Sequence, residues 1–573
     1  MKTSPSTPVI LLRSRFQRAE VVPAETAVWP ARWAWPVLLA LGLVGQSQGA
    51  QRTWTGGGAD NNWGTALNWD TGAPVSNDSV LFSGATRLQP TNNLANLMLN
   101  GMGFNTSQFN VLGLSVTNNA GILDIAGNNT NNIPQIMPAS QGITNNAGLA
   151  YVNAGTINLT NAGVNLWLAG AGPVFLNGVI SGAGMLTLGN DGGSVRLGAA
   201  NTFKGGVNIN NNGTVVVANA GAFPNGAGIG DVTNNGTINL NATSITVNGL
   251  YGAGTVDNLS GTATYTVTVG NNSTNPAGSF SGSLQNSSGS VALTKVNTNT
   301  FTLNGTASHT GATTISAGTL VLGASGNISS TPLITVNPGA VLDVSAQSGG
   351  FSLGSGQTLR AGRTTNGGPS DITGSFSSSG TIQPLRAAAA GTMTVNGGLT
   401  LSGGTVNFDL ANTNTLGSGS NDLIVVSGQL TLIGVTTIGL NPLAGAFASG
   451  SYTLISNTTA LVTGSPANLT ADLPRGLAAT FDTTTTPGSL LLTMSGTASP
   501  ASLVWSASAS SDWDVRLTQN WLNGGVPDYF FNLDNVTFSD SANSVNVNLN
   551  NGVSPGSILF ANSATNYIIS GSG

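Results

Sequence analysis

The chain has 573 residues, of which only 6% are charged and 40% are hydrophobic, so it can bury a core and is not a disordered polymer. Cys is absent and His309 is the single His, which excludes disulfides, thiolate metal sites and cysteine nucleophiles. Residues 51–573 hold 10 basic and 18 acidic residues, a net charge near −8 that repels phosphate backbones and argues against nucleic-acid binding.

Residues 1–50 form a leader that differs from the rest of the chain. Basic residues are followed by the apolar run Trp35–Gly45 and then by small residues. That order is typical of a secretory signal peptide, and we expect cleavage near Gly49 or Ala50, with the register left open by the unfavourable Gln48. A transmembrane anchor is the weaker interpretation, because the apolar run is well short of the roughly 20 residues that span a bilayer.

Residues 51–115 are predicted to be a Trp-rich N-terminal β module. It contains Trp54, Trp63, the pair Asn68-Trp69, then Pro74 and the segment Asp78–Ser83.

Between residues 116 and 500, short segments of β-branched and apolar residues alternate with Gly, Asn and Ser turns. Apolar and polar positions alternate within each segment, which is the period of a β-strand. No segment carries a sustained helical stripe, so we expect very little helix. The clearest copies are Gly155–Leu159, Gly236–Leu240, Gly318–Leu322 and Gly404–Phe408.

Closely spaced strands without helical crossovers predict an all-β stack over residues 116–500. We predict an elongated right-handed parallel β-helix, or β-solenoid, of about 15–20 coils with about 20–25 residues each. Val, Leu and Ile then fill the core, Asn side chains stack in ladders, and Gly and Asn take corners such as 208–213. A tandem β-sandwich array is the alternative, because the repeat length is irregular.

Residues 501–573 repeat the order of the opening module, and we predict a second Trp-rich β module that is truncated. The repeated features are Trp505, Trp513, Asn520-Trp521, Pro527 and Asp534–Ser539.

The Trp residues of both modules are candidates for aromatic platforms that stack on sugar rings. The alternative is that they form each module's small core, because Trp buries a large area where few large residues exist. The candidates are Trp54, Trp63, Trp69, Trp505, Trp513 and Trp521.

The best-preserved repeat consists of Leu293–Lys295, Phe301–Gly305 and Thr310–Leu320, which read LTK, FTLNG and TGATTISAGTL. It resembles the autotransporter-associated β-strand repeat, or passenger-associated transport repeat, of bacterial surface proteins. A weaker copy runs from Leu186 to Val215, and the Trp-rich opening is similar to the segment that commonly starts such proteins. The resemblance implies an exported β-helical passenger, displayed or secreted, without a known active site.

Proteins of this kind end in a membrane β-barrel, whereas this sequence ends with Ile568–Gly573 inside the second Trp-rich module. We therefore expect a fragment that lacks a barrel or an anchor, so that membrane contact is made only through the missing C-terminal region. A freely secreted protein is the alternative.

Two patterns suggest catalysis only weakly. The string Gly350–Gly354 has the nucleophile-elbow sequence, but an elbow requires a following helix and a downstream base, and His309 lies upstream. His309 stands where the family commonly has Tyr, which predicts a structural side chain.

Other catalytic and metal sites are also unsupported. Residues 51–573 contain no Glu, although glycoside hydrolysis requires two placed carboxylates. Gly417–Asp422 is a single imperfect calcium-type repeat, which favours a plain turn. Polysaccharide lyases on β-helices use clustered basic residues, and those of this chain are scattered: Arg196, Lys204, Arg360, Arg363 and Arg386.

We therefore predict an exported structural or display passenger at the bacterial cell surface or outside it, with no catalytic residue, cofactor or metal. An adhesin or carbohydrate-binding surface protein is the alternative, and a polysaccharide-degrading β-helix enzyme is a distant third. The expected partners are extracellular polysaccharide or neighbouring cell-surface components.

Overall fold

A computed structural model describes residues 49–571, apart from 190, 273–276, 365–370, 386–388, 412–419, 444–446, 448, 460 and 551. The predicted signal peptide therefore lies almost entirely outside the described residues. The described part is strand and turn, with two short 3-10 helices at Ala66–Asn68 and Pro466–Asn468. The prediction of an all-β protein is confirmed.

The strands are short, and most have three to five residues. Those of the first half are β1 (Gln51–Trp54), β2 (Ser79–Phe82), β3 (Thr91–Asn92), β4 (Leu97–Leu99), β5 (Met102–Phe104), β6 (Asn110–Gly113), β7 (Val116–Asn118), β8 (Ile122–Asp124), β9 (Asn129–Asn131), β10 (Gln135–Met137), β11 (Gln141–Asn145), β12 (Tyr151–Asn153), β13 (Ile157–Leu159), β14 (Asn165–Ala169), β15 (Val174–Leu176), β16 (Ile180–Gly182), β17 (Met185–Leu188), β18 (Ser194–Leu197), β19 (Val207–Ile209), β20 (Thr214–Val217), β21 (Val232–Asn234), β22 (Thr237–Asn239), β23 (Ile245–Val247), β24 (Leu250–Tyr251), β25 (Thr255–Asp257), β26 (Tyr265–Val269), β27 (Gly278–Phe280) and β28 (Ser283–Gln285).

The second half continues the same pattern. Its strands are β29 (Val291–Lys295), β30 (Thr300–Leu303), β31 (Thr313–Ile315), β32 (Thr319–Leu322), β33 (Leu333–Val336), β34 (Val341–Asp343), β35 (Phe351–Leu353), β36 (Thr358–Ala361), β37 (Ile372–Thr373), β38 (Phe376–Ser378), β39 (Thr381–Pro384), β40 (Thr392–Asn396), β41 (Leu399–Leu401), β42 (Thr405–Leu410), β43 (Leu423–Val426), β44 (Leu430–Leu432), β45 (Thr436–Pro442), β46 (Gly450–Asn457), β47 (Val462–Gly464), β48 (Leu469–Asp472), β49 (Leu477–Asp482) and β50 (Ser489–Gly496). The last strands are β51 (Ser502–Trp505), β52 (Asp512–Trp513), β53 (Trp521–Asn523), β54 (Val526–Asp528), β55 (Asn535–Ser539), β56 (Asn546–Leu549), β57 (Ser557–Ala561) and β58 (Ile568–Gly571).

The chain winds into a parallel β-solenoid of about 20 turns. Strands β1 to β28 contribute to sheets of ten, five and ten strands, and strands β23 to β50 to another set of ten, ten and five. Sheet 1, in the order β1-β2-β5-β8-β11-β14-β17-β19-β21-β24, meets the sheet that starts at β27 through a parallel bridge between Gly252 and Phe280. Apart from the strands at the C-terminal end, the strands thus pair in parallel with the strand one turn later, so the prediction of a solenoid is confirmed and the sandwich alternative is wrong.

Alternating burial along the stacked strands fills the interior of the solenoid. In sheet 1, Ile122, Ile143, Leu168, Leu188 and Ile209 are successive register partners. All are nearly or fully buried in one hydrophobic core that runs from Trp54 to Met494. Apolar residues therefore stack above apolar residues, as the sequence predicts.

Buried Asn side chains mainly bind corner backbone, and the expected amide ladders are short. Asn145 shows the usual role: its Nδ2 donates to the carbonyls of Leu149 (2.9 Å) and Pro173 (2.7 Å). Asn131 and Asn153 form a single ladder rung at 3.3 Å. The predicted corner at 208–213 begins with strand β19 and turns at Asn212, whose φ is +67°. Asn therefore supplies hydrogen bonds to backbone carbonyls between turns.

An antiparallel hairpin closes the last turns of the solenoid. Strand β50 pairs antiparallel with β46 on one side and with β49 on the other. Just before β49, Arg475 forms ion pairs with Asp528 (3.1 Å) and Asp534 (3.0 Å) in the second Trp-rich segment. The hairpin ends the parallel stacking on this face, and the arginine joins the two parts.

The second Trp-rich segment reproduces the opening turns in three dimensions. Strands β51, β55 and β57 pair in parallel as β1, β2 and β5 do. Asp78 accepts a hydrogen bond from the backbone N–H of Ala50 at 2.7 Å, and Asp534 accepts one from Ala501 at 2.7 Å. In the opening copy β5 is covered by β8, whereas β57 and β58 leave large apolar side chains 40–61% exposed.

The opening Trp-rich segment shares sheets and core with the residues that follow it. Strands β1, β2 and β5 lie in the same sheet as β8 and β11, and the core cluster crosses residue 115 without a gap. The division at residues 115/116 and 500/501 stays a prediction about domain organisation.

Candidate binding surface

The six Trp residues of the two modules are buried. Their side chains are 0–4% exposed. Trp69 meets Trp54 edge to face with ring centroids 5.1 Å apart, and Trp521 meets Trp505 in the same way at 4.9 Å. Phe82 and Phe538 complete the two aromatic clusters.

This packing is what the core interpretation of the Trp residues predicts. An indole that stacks on a sugar must present an open face, and these faces are covered by neighbouring rings. Sugar stacking by Trp54, Trp63, Trp69, Trp505, Trp513 and Trp521 stays a prediction, and it requires a module to open.

Trp167 differs from these six, because its side chain is 42% exposed. It occupies the central, outward-facing position of β14, whose residues alternate between exposed and buried. A Cβ placed on Gly142, its neighbour one turn earlier, would lie within 2.6 Å of Trp167 Cδ1. The indole therefore lies over a glycine backbone, where any larger side chain would displace it.

The parallel register extends from Trp167 along the outer face of sheet 1. Its successive partners are Thr187, Asn208, Thr233 and Tyr251. All four are partly exposed and alternate with buried neighbours. We call these five residues the Trp167–Tyr251 strip.

The two end residues of the strip are aromatic, and the three between them carry hydroxyl or amide groups. A Cβ placed on Gly249 would lie 2.8 Å from Tyr251 Cε2, so this ring also lies over a glycine. The outward residues of sheet 1 from β8 to β24 are uncharged, and the carboxylate of Asp231 lies beside Tyr251 at the edge. The strip can offer ring faces and neutral hydrogen-bonding groups, and no cation.

The strip was not predicted from the sequence. The available signal was an aromatic residue at an outward position of the strand segment Asn165–Ala169. The pairing with Tyr251 depends on the stacking register, which sequence alone did not supply.

The buried ionisable groups of the best-preserved repeat are structural. His309 is fully buried, its Nε2 lies 2.9 Å from Thr313 Oγ1, and burial lowers the pKa of the imidazole to about 4. Lys295 Nζ donates to the carbonyls of Val296 (2.7 Å), Asn297 (2.8 Å) and Ala317 (3.3 Å), and burial lowers its pKa to about 8. Neither side chain reaches the surface, so neither can act on a large substrate.

A second buried group contains acidic residues. Asp422 accepts hydrogen bonds from the backbone N–H groups of Gly391 (2.6 Å) and Asp409 (2.8 Å), and burial raises its pKa to about 8. Asp371 is ion-paired with Arg363 and accepts from the backbone N–H of Thr394 at 2.8 Å. These two carboxyl groups thus bind backbone N–H groups in or directly before β40 and β42.

The other candidates for chemistry are incomplete or lie outside the described residues. Phe351–Leu353 is a strand followed by a turn and β36, without the helix that a nucleophile elbow requires. Arg386 and residues 417–419 of the calcium-type segment lie outside the described residues. Within the part of the chain that the structure describes, no three His, Asp or Glu side chains are grouped as metal ligands.

Comparison with known proteins gives one partial similarity. The chain is 30% identical over 313 residues to the Adhesin BmaC autotransporter of Brucella suis biovar 1 (strain 1330). The match covers 42% of this chain and 9% of that protein, so the chain spans less than a tenth of its relative. No family model and no solved structure matches the chain.

No helix in the described ranges is both long and apolar enough to cross a membrane.

Proposed function

We propose that the chain is an exported passenger of the autotransporter type, displayed at the bacterial surface as a non-catalytic β-solenoid. The observation that carries the proposal is a parallel stack of about 20 turns in a chain that is partly similar to an autotransporter adhesin. The leader predicted at residues 1–50 agrees with export.

The repeat around Lys295 supports assignment to the autotransporter-associated repeats. In the structure, Lys295 ends β29 and its ammonium binds three carbonyls, two of the adjoining corner and one of the next turn. A lysine in the LTK segment would therefore stabilise the stacking of consecutive turns. On this proposal the repeat has a structural role in building the solenoid.

Adhesion is the second candidate function, beyond display alone. It is favoured by the similarity to a protein named as an adhesin and by the exposed, uncharged Trp167–Tyr251 strip. A passenger that serves only as a spacer does not require an exposed Trp packed over a glycine. Extracellular polysaccharide and neighbouring cell-surface components are the partners that we propose to test.

Proteinase treatment of intact cells tests surface display. Bacteria that produce the full chain are exposed to proteinase K and probed with an antibody against residues 116–500, with a cytoplasmic protein as the control. We expect the solenoid signal to fall while the cytoplasmic control is unchanged. Full protection of the solenoid until the cells are lysed would contradict the proposal.

A further inference from the structure

We propose that the Trp167–Tyr251 strip binds a neutral, extended β-1,4-linked glycan that lies along the solenoid axis. This inference deepens the proposed adhesive function and rests on it. Four properties of the strip support this assignment: its spacing, its aromatic ends, its polar middle and its lack of charge.

The strip has a regular spacing set by the stacking of turns. From Trp167 to Tyr251 the register crosses four strand intervals. At about 4.8 Å each, they span roughly 19 Å. The rise per residue of an extended β-1,4-linked glycan is close to one such interval, so each successive sugar would lie beside the next residue of the strip. A coiled α-linked glucan has no such match.

The two aromatic residues can stack on sugar rings at the ends of this span. Sugar C–H groups carry partial positive charge, and an aromatic face carries the negative part of its quadrupole. Trp167 is 42% exposed although it lies over Gly142. The contact with Gly142 fixes the indole on the sheet surface, so little rotamer freedom is lost when a ligand binds.

The three central residues supply hydrogen bonds between these platforms. Thr187, Asn208 and Thr233 present two hydroxyls and one amide in line, and all three are partly exposed. These groups donate and accept, as sugar hydroxyls do. A neutral polyol is therefore matched along the whole strip.

The charge of this face selects against an acidic polymer. The outward positions of sheet 1 from β8 to β24 carry no cation, and Asp231 adds a negative charge beside Tyr251. Residues 51–573 have a net charge near −8. A sulfated or uronic-acid chain would be repelled, whereas a neutral glycan would approach without electrostatic repulsion.

Fluorescence quenching gives a direct test, because Trp167 is the exposed Trp among the described residues. Iodide should quench chiefly Trp167 in the purified protein, and saturating cellohexaose or N-acetylated chitohexaose should protect it. Maltohexaose and heparin should not. Binding of either β-1,4 oligosaccharide without protection from iodide would overturn the assignment of the strip.

Three variants separate loss of the site from loss of the fold. Trp167→Ala and Gly142→Ala should each weaken oligosaccharide binding at least tenfold. Gly142→Ala would act by displacing the Trp167 indole, because the added methyl group would occupy its position. Tyr529→Ala is the matched control, since Tyr529 is 36% exposed and lies in the last Trp-rich segment. Circular dichroism and thermal unfolding of all variants should match the unaltered protein.

The outcomes distinguish this inference from the proposed function. Surface exposure to proteinase K together with failure to bind either oligosaccharide would overturn the glycan site and leave display intact. Equal binding by Trp167→Ala and the unaltered protein would place the ligand elsewhere and overturn the site. Protection of the chain inside intact cells would contradict the proposed function itself.

Discussion

His309 is buried without a charged partner, and its position determines how the local structure responds to acid. Its side chain is 0% exposed, and its pKa lies near 4 in the folded chain against about 6.5 when unfolded. As pH falls from 6.5 towards 4, the unfolded state takes up a proton that the folded state does not. The stability that this group contributes is present above pH 6.5 and is lost as pH falls through the folded pKa.

We predict that His309→Gln removes this acid sensitivity, because Gln can still bond Thr313 and does not titrate. The difference in pKa corresponds to about 3 kcal/mol of opening free energy. Hydrogen exchange of peptides spanning β30 to β32, compared between the two proteins at pH 7 and pH 4, measures it. Since the chain has one His, no second imidazole contributes. Equal losses of protection in both proteins would contradict the prediction.

Lys295→Met should destabilise the turns on either side of β29. It removes the donor from three backbone carbonyls, and hydrogen bonds to charged groups contribute about 1.5–3 kcal/mol each. After partial compensation by water, we expect a loss on the order of 3 kcal/mol in local opening free energy, read by hydrogen exchange. Lys204→Met, at an exposed lysine, is the control and should change nothing. Unchanged exchange in Lys295→Met would show that the three bonds do not matter.

At the level of single residues, sequence predicts burial better than it predicts exposure. Composition alone limits the catalytic and metal-binding side chains that are available, because residues 51–573 lack Cys and Glu and contain one His, His309. The distinction between Trp54 at 0% and Trp167 at 42% exposed depends on which side of a strand each residue occupies. Ring-on-ring packing in the modules is a tertiary property, so sequence left both interpretations of the six Trp residues open.

At the level of elements, strands were predictable and their partners were not. Alternation identifies Ile157–Leu159 and Thr319–Leu322, because burial of every second residue is a local property. Parallel pairing one turn apart fixes the register through contacts between distant residues. The hairpin of β49 and β50 was not predicted, since its residues have the same β-type composition as the parallel strands.

The β49–β50 hairpin protects the edge of β46, and we predict that opening it causes association. Strand β50 is paired on both sides, and Leu491 is the register partner of Thr453 and Asp482. Leu491→Pro removes a backbone donor from this central strand and should detach the hairpin, which leaves an open edge. Light scattering after gel filtration should detect larger species than the unaltered protein forms.

Leu491→Thr is the matched control for this experiment, because Thr keeps the backbone donor and strand propensity. It should elute as the unaltered protein does. If Leu491→Pro has the same mass as the control, the hairpin does not guard the edge.

At the level of the whole molecule, stacked turns contact mainly the turn before and the turn after. In such an array stability is a sum of local terms, and a substitution weakens its own neighbourhood. The same stacking aligns residues from distant parts of the sequence, as it does for Trp167 and Tyr251. A long surface with a repeating spacing is what display and adhesion need, and it requires no catalytic centre.

The central claim is that a stacked β-solenoid is presented outside the cell. Because the chain has no Cys, single cysteines at neighbouring positions report both parts of the claim. Thr233 faces outward on β21 and is partly exposed, whereas Val232 beside it faces the core and is 3% exposed. The measurement is labelling of intact cells with a membrane-impermeant maleimide. We predict that Thr233→Cys reacts on intact cells and that Val232→Cys reacts only after denaturation. Labelling of Thr233→Cys only after lysis, or equal labelling of both variants on intact cells, would contradict the account.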